Sequence, residues 1–111
     1  MIASKPAAYR GTIRHDMARQ YFEGGFYREA VVETRCAIAM NPNLADAHFD
    51  LGIFYMVLGE MDLTDQSFVK AVGLFGKAQA TIDRIKSMMG QSVEVTACKR
   101  VLRDHFGVAN P

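Results

Sequence analysis

Two aspartates and three histidines are the residues whose types and positions could support acid–base chemistry in this chain of 111 residues. Asp16 and Asp50 lie 34 positions apart, and they would face each other if their helices were neighbours. Two adjacent carboxylates can hold and transfer a proton in general acid–base catalysis. His15, His48 and His105 lie far apart and on different faces of the predicted helices. We therefore interpret the two aspartates as the wall of an acidic groove rather than as a catalytic pair.

No other residue pattern points to catalysis or to a bound metal. The sequence has no His-x-x-x-His, Gly-x-Ser-x-Gly or phosphate-loop motif. Cys36 and Cys98 have neither metal nor redox spacing. Each falls on the apolar face of a predicted helix, where a thiol packs as a small hydrophobic group; a disulfide and a reactive thiol are the alternatives. The sequence predicts a protein that is not an enzyme and that binds no cofactor and no metal.

Composition and charge are those of a single domain of ordinary globular usage. Half of the residues are hydrophobic and 23% are charged. No apolar run could span a bilayer and no signal-peptide core begins the chain, so we expect a cytoplasmic protein. The net charge of +1 divides into −5 over residues 15–76 and +3 over each of residues 1–14 and 77–111. This segregation fits a basic partner, head-to-tail self-association or a solvated surface. The basic residues near the C-terminus lack the interleaved aromatic residues of nucleic-acid binders.

The elements that would carry these residues are helices, as the stretch AMNPNLADAHFDLGIFY from Ala39 to Tyr55 illustrates. Pro42 follows an apolar run and ends one helix, because proline has no amide hydrogen and restricts the residue before it. Apolar residues resume at helical spacing within a few positions. Two helices joined by so short a link must pack roughly antiparallel.

The helical pattern recurs with a period of 34 residues. The matched pairs are Tyr21 with Tyr55, Gly25 with Gly59, Ala37 with Ala71, Ile38 with Val72, and Met40 with Leu74. A fixed period of this size is typical of stacked supersecondary units. The Asn-Pro-Asn segment is therefore predicted to join one unit to the next.

On these residues the chain resembles the tetratricopeptide repeat family, whose unit is a helix–turn–helix of about 34 residues. The first unit keeps the family's marks in QYFEGGFYREAVVETRCAIAMNPN, and the second in ADAHFDLGIFYMVLGEMD and FVKAVGLF. The chain departs from the family at His48, Thr64 and Gly76, where tryptophan, alanine and proline are favoured. The resemblance implies an all-α fold, a right-handed α–α superhelix (a tetratricopeptide solenoid) of about six helices.

We divide the chain into a lead segment over residues 1–10, a first repeat over 11–44, a second over 45–78, and a last part over 79–111. The last part is a degenerate third repeat or a capping helical pair. Arrays of this kind need about three units for stability, and the end unit is atypical. The sequence leaves open whether the chain is a fragment of a longer protein or has lost a signal peptide.

The resemblance implies partner binding on the concave face, which the first helix of each unit lines. The candidate residues share this register position: His15, Asp16, Arg19, Phe22, Phe49, Asp50, Ile53, Met56 and Arg84. Phe49, Ile53 and Met56 form an apolar stripe at i, i+4 and i+7, on a face that the predicted core does not use. Such a stripe suits a helix or an extended peptide. We expect a non-enzymatic adaptor or chaperone-like protein that binds a segment of a partner protein there.

Two other fates of the apolar stripe are open. A terminal segment of the same chain could fold back and cover it. Alternatively, a second copy of the chain could bind it, which would make the protein a homo-oligomeric scaffold.

Overall fold

The computed structural model describes residues 7–111, which form six α-helices. The helices are α1 (Ala7–Glu23), α2 (Tyr27–Met40), α3 (Ala45–Val57), α4 (Met61–Phe75), α5 (Gln79–Met88) and α6 (Val95–Phe106). Residues 7–111 contain no strand, only an isolated bridge between Met89 and Val93. The predictions of an all-α chain and of six helices are confirmed. Residues 1–6 of the predicted lead segment lie outside the described residues, and residues 7–10 belong to α1.

The Asn-Pro-Asn segment separates α2 from α3, as its sequence predicts. Asn41 leaves the helical conformation with φ −144° and ψ 93°, which is the extended geometry that a following proline imposes. The side chain of Asn41 then accepts a hydrogen bond from the backbone N–H of Asn43 at 3.1 Å, as asparagine does in tight turns. His48 donates from Nε2 to the backbone carbonyl of Pro42 at 2.9 Å. This bond fixes the start of α3 against the joint.

The turns inside the first two hairpins have the same construction, 34 residues apart. Gly25 and Gly59 have φ of +85° and +77°, a region that favours glycine. The amide after each glycine donates to the tyrosine carbonyl five residues back, Phe26 to Tyr21 at 2.8 Å and its counterpart to Tyr55 at 3.0 Å. These bonds satisfy carbonyl groups at the helix ends. The 34-residue period of the sequence is therefore repeated in the backbone.

The core of the second hairpin depends on a close approach of α3 and α4 at Gly52. A Cβ atom at this position would lie 2.6 Å from Cε1 of Phe68. The ring of Phe68 is fully buried, so it fills the space that glycine leaves. The small residue and the large ring together set the distance between the two helices.

The third helical pair packs onto the second hairpin chiefly through α6. Cys98, Val101 and Leu102 are fully buried, and Phe106 packs edge-on against Phe68 with ring centroids 5.2 Å apart. Burial raises the pKa of the Cys98 thiol, which makes it a packing residue rather than a nucleophile. Residues 79–111 therefore close one end of the core. The packing of neighbouring helices is consistent with stacked hairpins.

Candidate functional site

The apolar stripe of Phe49, Ile53 and Met56 lies in the interior. All three side chains are almost completely buried. The ring of Phe49 packs against Phe106 of α6 at 6.3 Å and against Phe75 of α4 at 6.5 Å between centroids. The expectation that the core does not need this stripe is wrong, because the C-terminal helix of the same chain covers it. The alternative of a covering terminal segment describes what is observed.

The polar candidates converge on one buried carboxylate, that of Asp50 on α3. His15 Nε2 donates to Oδ2 at 2.7 Å, and Arg19 Nε donates to the same oxygen at 3.0 Å. Arg84 of α5 donates from Nη1 to Oδ1 at 2.5 Å. An ionised carboxylate only accepts hydrogen bonds, so all three partners act as donors. We call these four residues the Asp50 cluster.

The cluster keeps Asp50 ionised although it is buried. Burial by itself would raise the pKa of Asp50, but the hydrogen bond from His15 and the charges of Arg84 and Arg19 outweigh it, and the pKa lies below its ordinary value. A carboxylate with a lowered pKa and donors on both oxygens is a poor proton acceptor near neutral pH. The Asp50 cluster is therefore suited to joining helices rather than to catalysis.

Phe22 belongs to the same junction through its aromatic face. Its ring stacks on Phe54 of α3 with centroids 4.5 Å apart. The guanidinium of Arg84 lies 5.4 Å from the centroid of the Phe22 ring, within the range of a cation–π contact. Asp16, by contrast, is exposed on α1 and contributes to the raised pKa of Arg19. The carboxylate of Asp50 thus pairs with cations, and the supposed pair of aspartates is replaced by ion pairs.

A second carboxylate cluster, which the sequence did not indicate, attaches α6 to α4. Asp65 Oδ1 accepts from Arg100 Nη1 at 3.1 Å and from His105 Nε2 at 2.7 Å. Burial acts to raise the pKa of Asp65, yet the hydrogen bonds from His105 and Arg100 bring it below its ordinary value. His48 lies apart from both clusters and is buried at the repeat joint. The three histidines therefore occupy three separate environments.

The surface of residues 7–111 carries a contiguous apolar patch on the first hairpin, at Met17, Tyr21, Phe26 and Val32. Two shallow depressions of about 320 and 220 Å³ share Tyr21 in their lining; the first adds Met17 and Phe26, and the second adds Val32. The rings of Tyr21 and Phe26 meet edge-on at 6.3 Å. We call this patch the open face. The sequence reading had assigned Tyr21 to the core.

The second hairpin has the same depression, but there another helix covers it. A groove of about 340 Å³ is lined by the residues 34 positions after those of the open face, namely Leu51, Tyr55, Leu63, Gln66 and Ser67. Arg35 and Ile38 of α2 form its other wall. As a result Tyr55 is 6% exposed, whereas Tyr21 is 37% exposed. The open face is therefore the position at which a preceding helix would pack.

Comparisons with protein-family models, curated proteins and solved structures found no match. No helix within residues 7–111 is long and apolar enough to cross a membrane, and the same residues contain no group of three or more potential metal ligands. The fold and the two carboxylate clusters define a chain of three packed helical hairpins. Its function is inferred from its own surfaces.

Proposed function

We propose that the chain is a non-enzymatic protein-interaction module, a right-handed solenoid of tetratricopeptide-like hairpins whose open face binds an amphipathic helix of a partner protein. The observation that carries the proposal is the exposure of Tyr21, at 37%, beside the burial of its counterpart Tyr55, at 6%. One surface is thus covered by a helix in the second hairpin and uncovered in the first. A helix with an apolar stripe is the element that fits it.

The side chains of the open face support an interface role, because folding does not require them. Phe26 and Val32 are 57% and 59% exposed. At the equivalent positions the second hairpin carries Glu60 and Gln66, and it folds with these polar residues. Contiguous exposed apolar residues that the fold does without are typical of interaction sites.

Charge at the rim also favours a helix that resembles α2. The depression on the first hairpin is bordered by Glu29 and Glu33, where the second hairpin has Leu63 and Ser67. A helix placed as α2 is placed on α3 would bring a basic residue at the position of Arg35 next to these carboxylates. The preferred partner helix therefore has an apolar stripe flanked by lysine or arginine.

This proposal moves the docking surface away from the apolar stripe of Phe49, Ile53 and Met56, because α6 covers that stripe. The proposed compartment is the cytoplasm, and the support for it is that Cys36 and Cys98 are both free thiols, as is usual under reducing conditions.

A peptide with the sequence of α2 (Tyr27–Met40) is a direct probe of the open face, because α2 covers the counterpart surface. A peptide of 14 residues is a marginal helix in water, so it is made with a helix-stabilising cross-link and a fluorescent label. We expect saturable binding in fluorescence anisotropy, weakened about tenfold or more by Phe26→Glu with Val32→Gln. A peptide carrying Ile38→Asp should not bind.

The matched control is Val69→Gln on α4, since Val69 is equally exposed, at 64%, but lies outside the open face. This change should leave peptide binding as in the unchanged protein. Equal binding by the Phe26→Glu, Val32→Gln protein would place the peptide elsewhere and would overturn the proposal. Absence of saturable binding would overturn it as well.

A further inference from the structure

We infer that the helices that occupy the open face are α1 and α2 of a second copy of this chain, so that two open faces pack against each other about a two-fold axis. This inference rests on the proposed function, since it names the partner of the same surface. In such an isologous interface the same patch is used by both subunits, and it must be complementary to itself.

The open face meets this requirement in its apolar part. Met17, Tyr21, Phe26 and Val32 all lie on one hairpin, so the patch that needs a cover is also a pair of helices with an apolar surface. Two α-helical hairpins that pack face to face make a four-helix arrangement, in which each apolar surface is buried by the other. Tyrosine and phenylalanine are the side chains that supply most area in such contacts.

The rim of the open face is also compatible with a copy of itself, because it carries both signs of charge. Arg28 lies beside Glu29 on α2, and it reaches Glu60 only through an exposed contact at 3.1 Å. Glu29 forms no ion pair within residues 7–111. A two-fold axis would let Arg28 of each copy approach Glu29 of the other. A rim of a single sign would repel its own copy.

Head-to-tail stacking, in which the last hairpin of one copy covers the first hairpin of the next, is disfavoured by the surface of α6. That helix turns its apolar side, including Val101 and Leu102, into the core. Its exposed side carries Lys99, Arg103 and Asp104. A charged end of this kind is what a capping unit presents to solvent. Only the first hairpin therefore offers an apolar surface that matches the open face.

The test is sedimentation velocity of the full chain over a dilution series from submicromolar to submillimolar concentration. The variant is Phe26→Glu with Val32→Gln, which installs the residues that the second hairpin carries at Glu60 and Gln66. We expect the unchanged protein to form a dimer that dissociates on dilution. The variant should raise the dissociation constant on the order of a hundredfold, because each change occurs twice in a two-fold interface.

The Val69→Gln protein is again the control, and its dimer should be unchanged. Far-ultraviolet circular dichroism establishes that each variant is folded, so that loss of the dimer cannot be ascribed to unfolding. A dimer that persists in the Phe26→Glu, Val32→Gln protein would overturn the inference, because its interface would lie elsewhere. A chain that is monomeric at all concentrations would overturn it too.

The fate of the proposed function is read separately from the α2 peptide. If the chain is monomeric but binds the peptide through Phe26 and Val32, the open face binds helices of another protein and only the second copy is excluded. If the chain is monomeric and does not bind the peptide, both the inference and the proposed function fail.

Discussion

Replacing Asp50 by asparagine is the sharpest perturbation of the carboxylate that joins α1, α3 and α5. The change keeps the size of the side chain but removes its charge, and it leaves His15, Arg19 and Arg84 with a neutral amide. The Asp50 side chain is only 5% exposed, so water does not replace the lost interactions.

The magnitude follows from the three hydrogen bonds. A bond to a charged group contributes about 1.5–3 kcal/mol, and the bonds from His15 and Arg84 are short and sheltered. The side chain of Arg19 is 46% exposed, so its share is discounted to about 0.5 kcal/mol. Asparagine retains one acceptor oxygen. We therefore expect Asp50→Asn to lower the free energy of unfolding by about 3 kcal/mol, in line with the loss of one partner of a buried ion pair.

Urea unfolding at pH 7, followed by circular dichroism, measures this change. Asp46→Asn is the matched control, because Asp46 lies one turn earlier on the same helix, 3.7 Å from Arg19, with a side chain that is 81% exposed. We expect this control to change the free energy of unfolding by less than about 0.5 kcal/mol. A loss below about 1 kcal/mol for Asp50→Asn would refute the reasoning, since it would mean that the three donors are equally well satisfied without the carboxylate.

Two further predictions concern pH and helix packing. The pKa of Asp50 is lowered in the folded chain, so its stabilisation is present above the unfolded value of about 3.9 and is lost as pH falls through the folded pKa. Acid unfolding followed by circular dichroism should thus be less steep for Asp50→Asn than for the unchanged protein below about pH 4, and equal slopes would contradict the assignment. Gly52→Ala forces a Cβ to within 2.6 Å of the buried Phe68 ring, and thermal unfolding should detect a loss of about 1–3 kcal/mol. Gly73→Ala, which meets no atom within 4 Å, should instead stabilise α4 by about 0.5–1 kcal/mol, and the same sign for both changes would rule out the steric explanation.

Local chemistry was enough to predict where the helices end. Pro42 and the glycines Gly25 and Gly59 act on the backbone within a few residues, so their effect can be read without knowledge of the rest of the chain. The period of 34 residues then gave the number of helices in the first two hairpins. The start of α1 at Ala7 rather than near Gly11 was missed, because no residue in that stretch enforces a boundary.

The destination of each helix face could not be read in the same way. Phe49 and Ile53 have the spacing of an exposed stripe or of a buried one, and only the position of α6 decides between the two. The partners of Asp50 likewise depend on which helices meet, since Arg84 is 34 residues away in the chain. Tyr21 was assigned to the core because its counterpart Tyr55 is a core residue, but the first hairpin has no preceding described helix to cover it.

The Asp50 cluster has a consequence for how the chain loses its structure. In most repeat proteins each unit touches only its neighbours, so unfolding can begin at one end and spread unit by unit. Here Arg84 of the third hairpin lies over Phe22 of the first, and both hairpins donate to the same carboxylate on the second. An end hairpin cannot detach without disturbing the opposite end. The three hairpins are thereby coupled into one cooperative unit, with the behaviour of a small globular domain rather than of a segmented array.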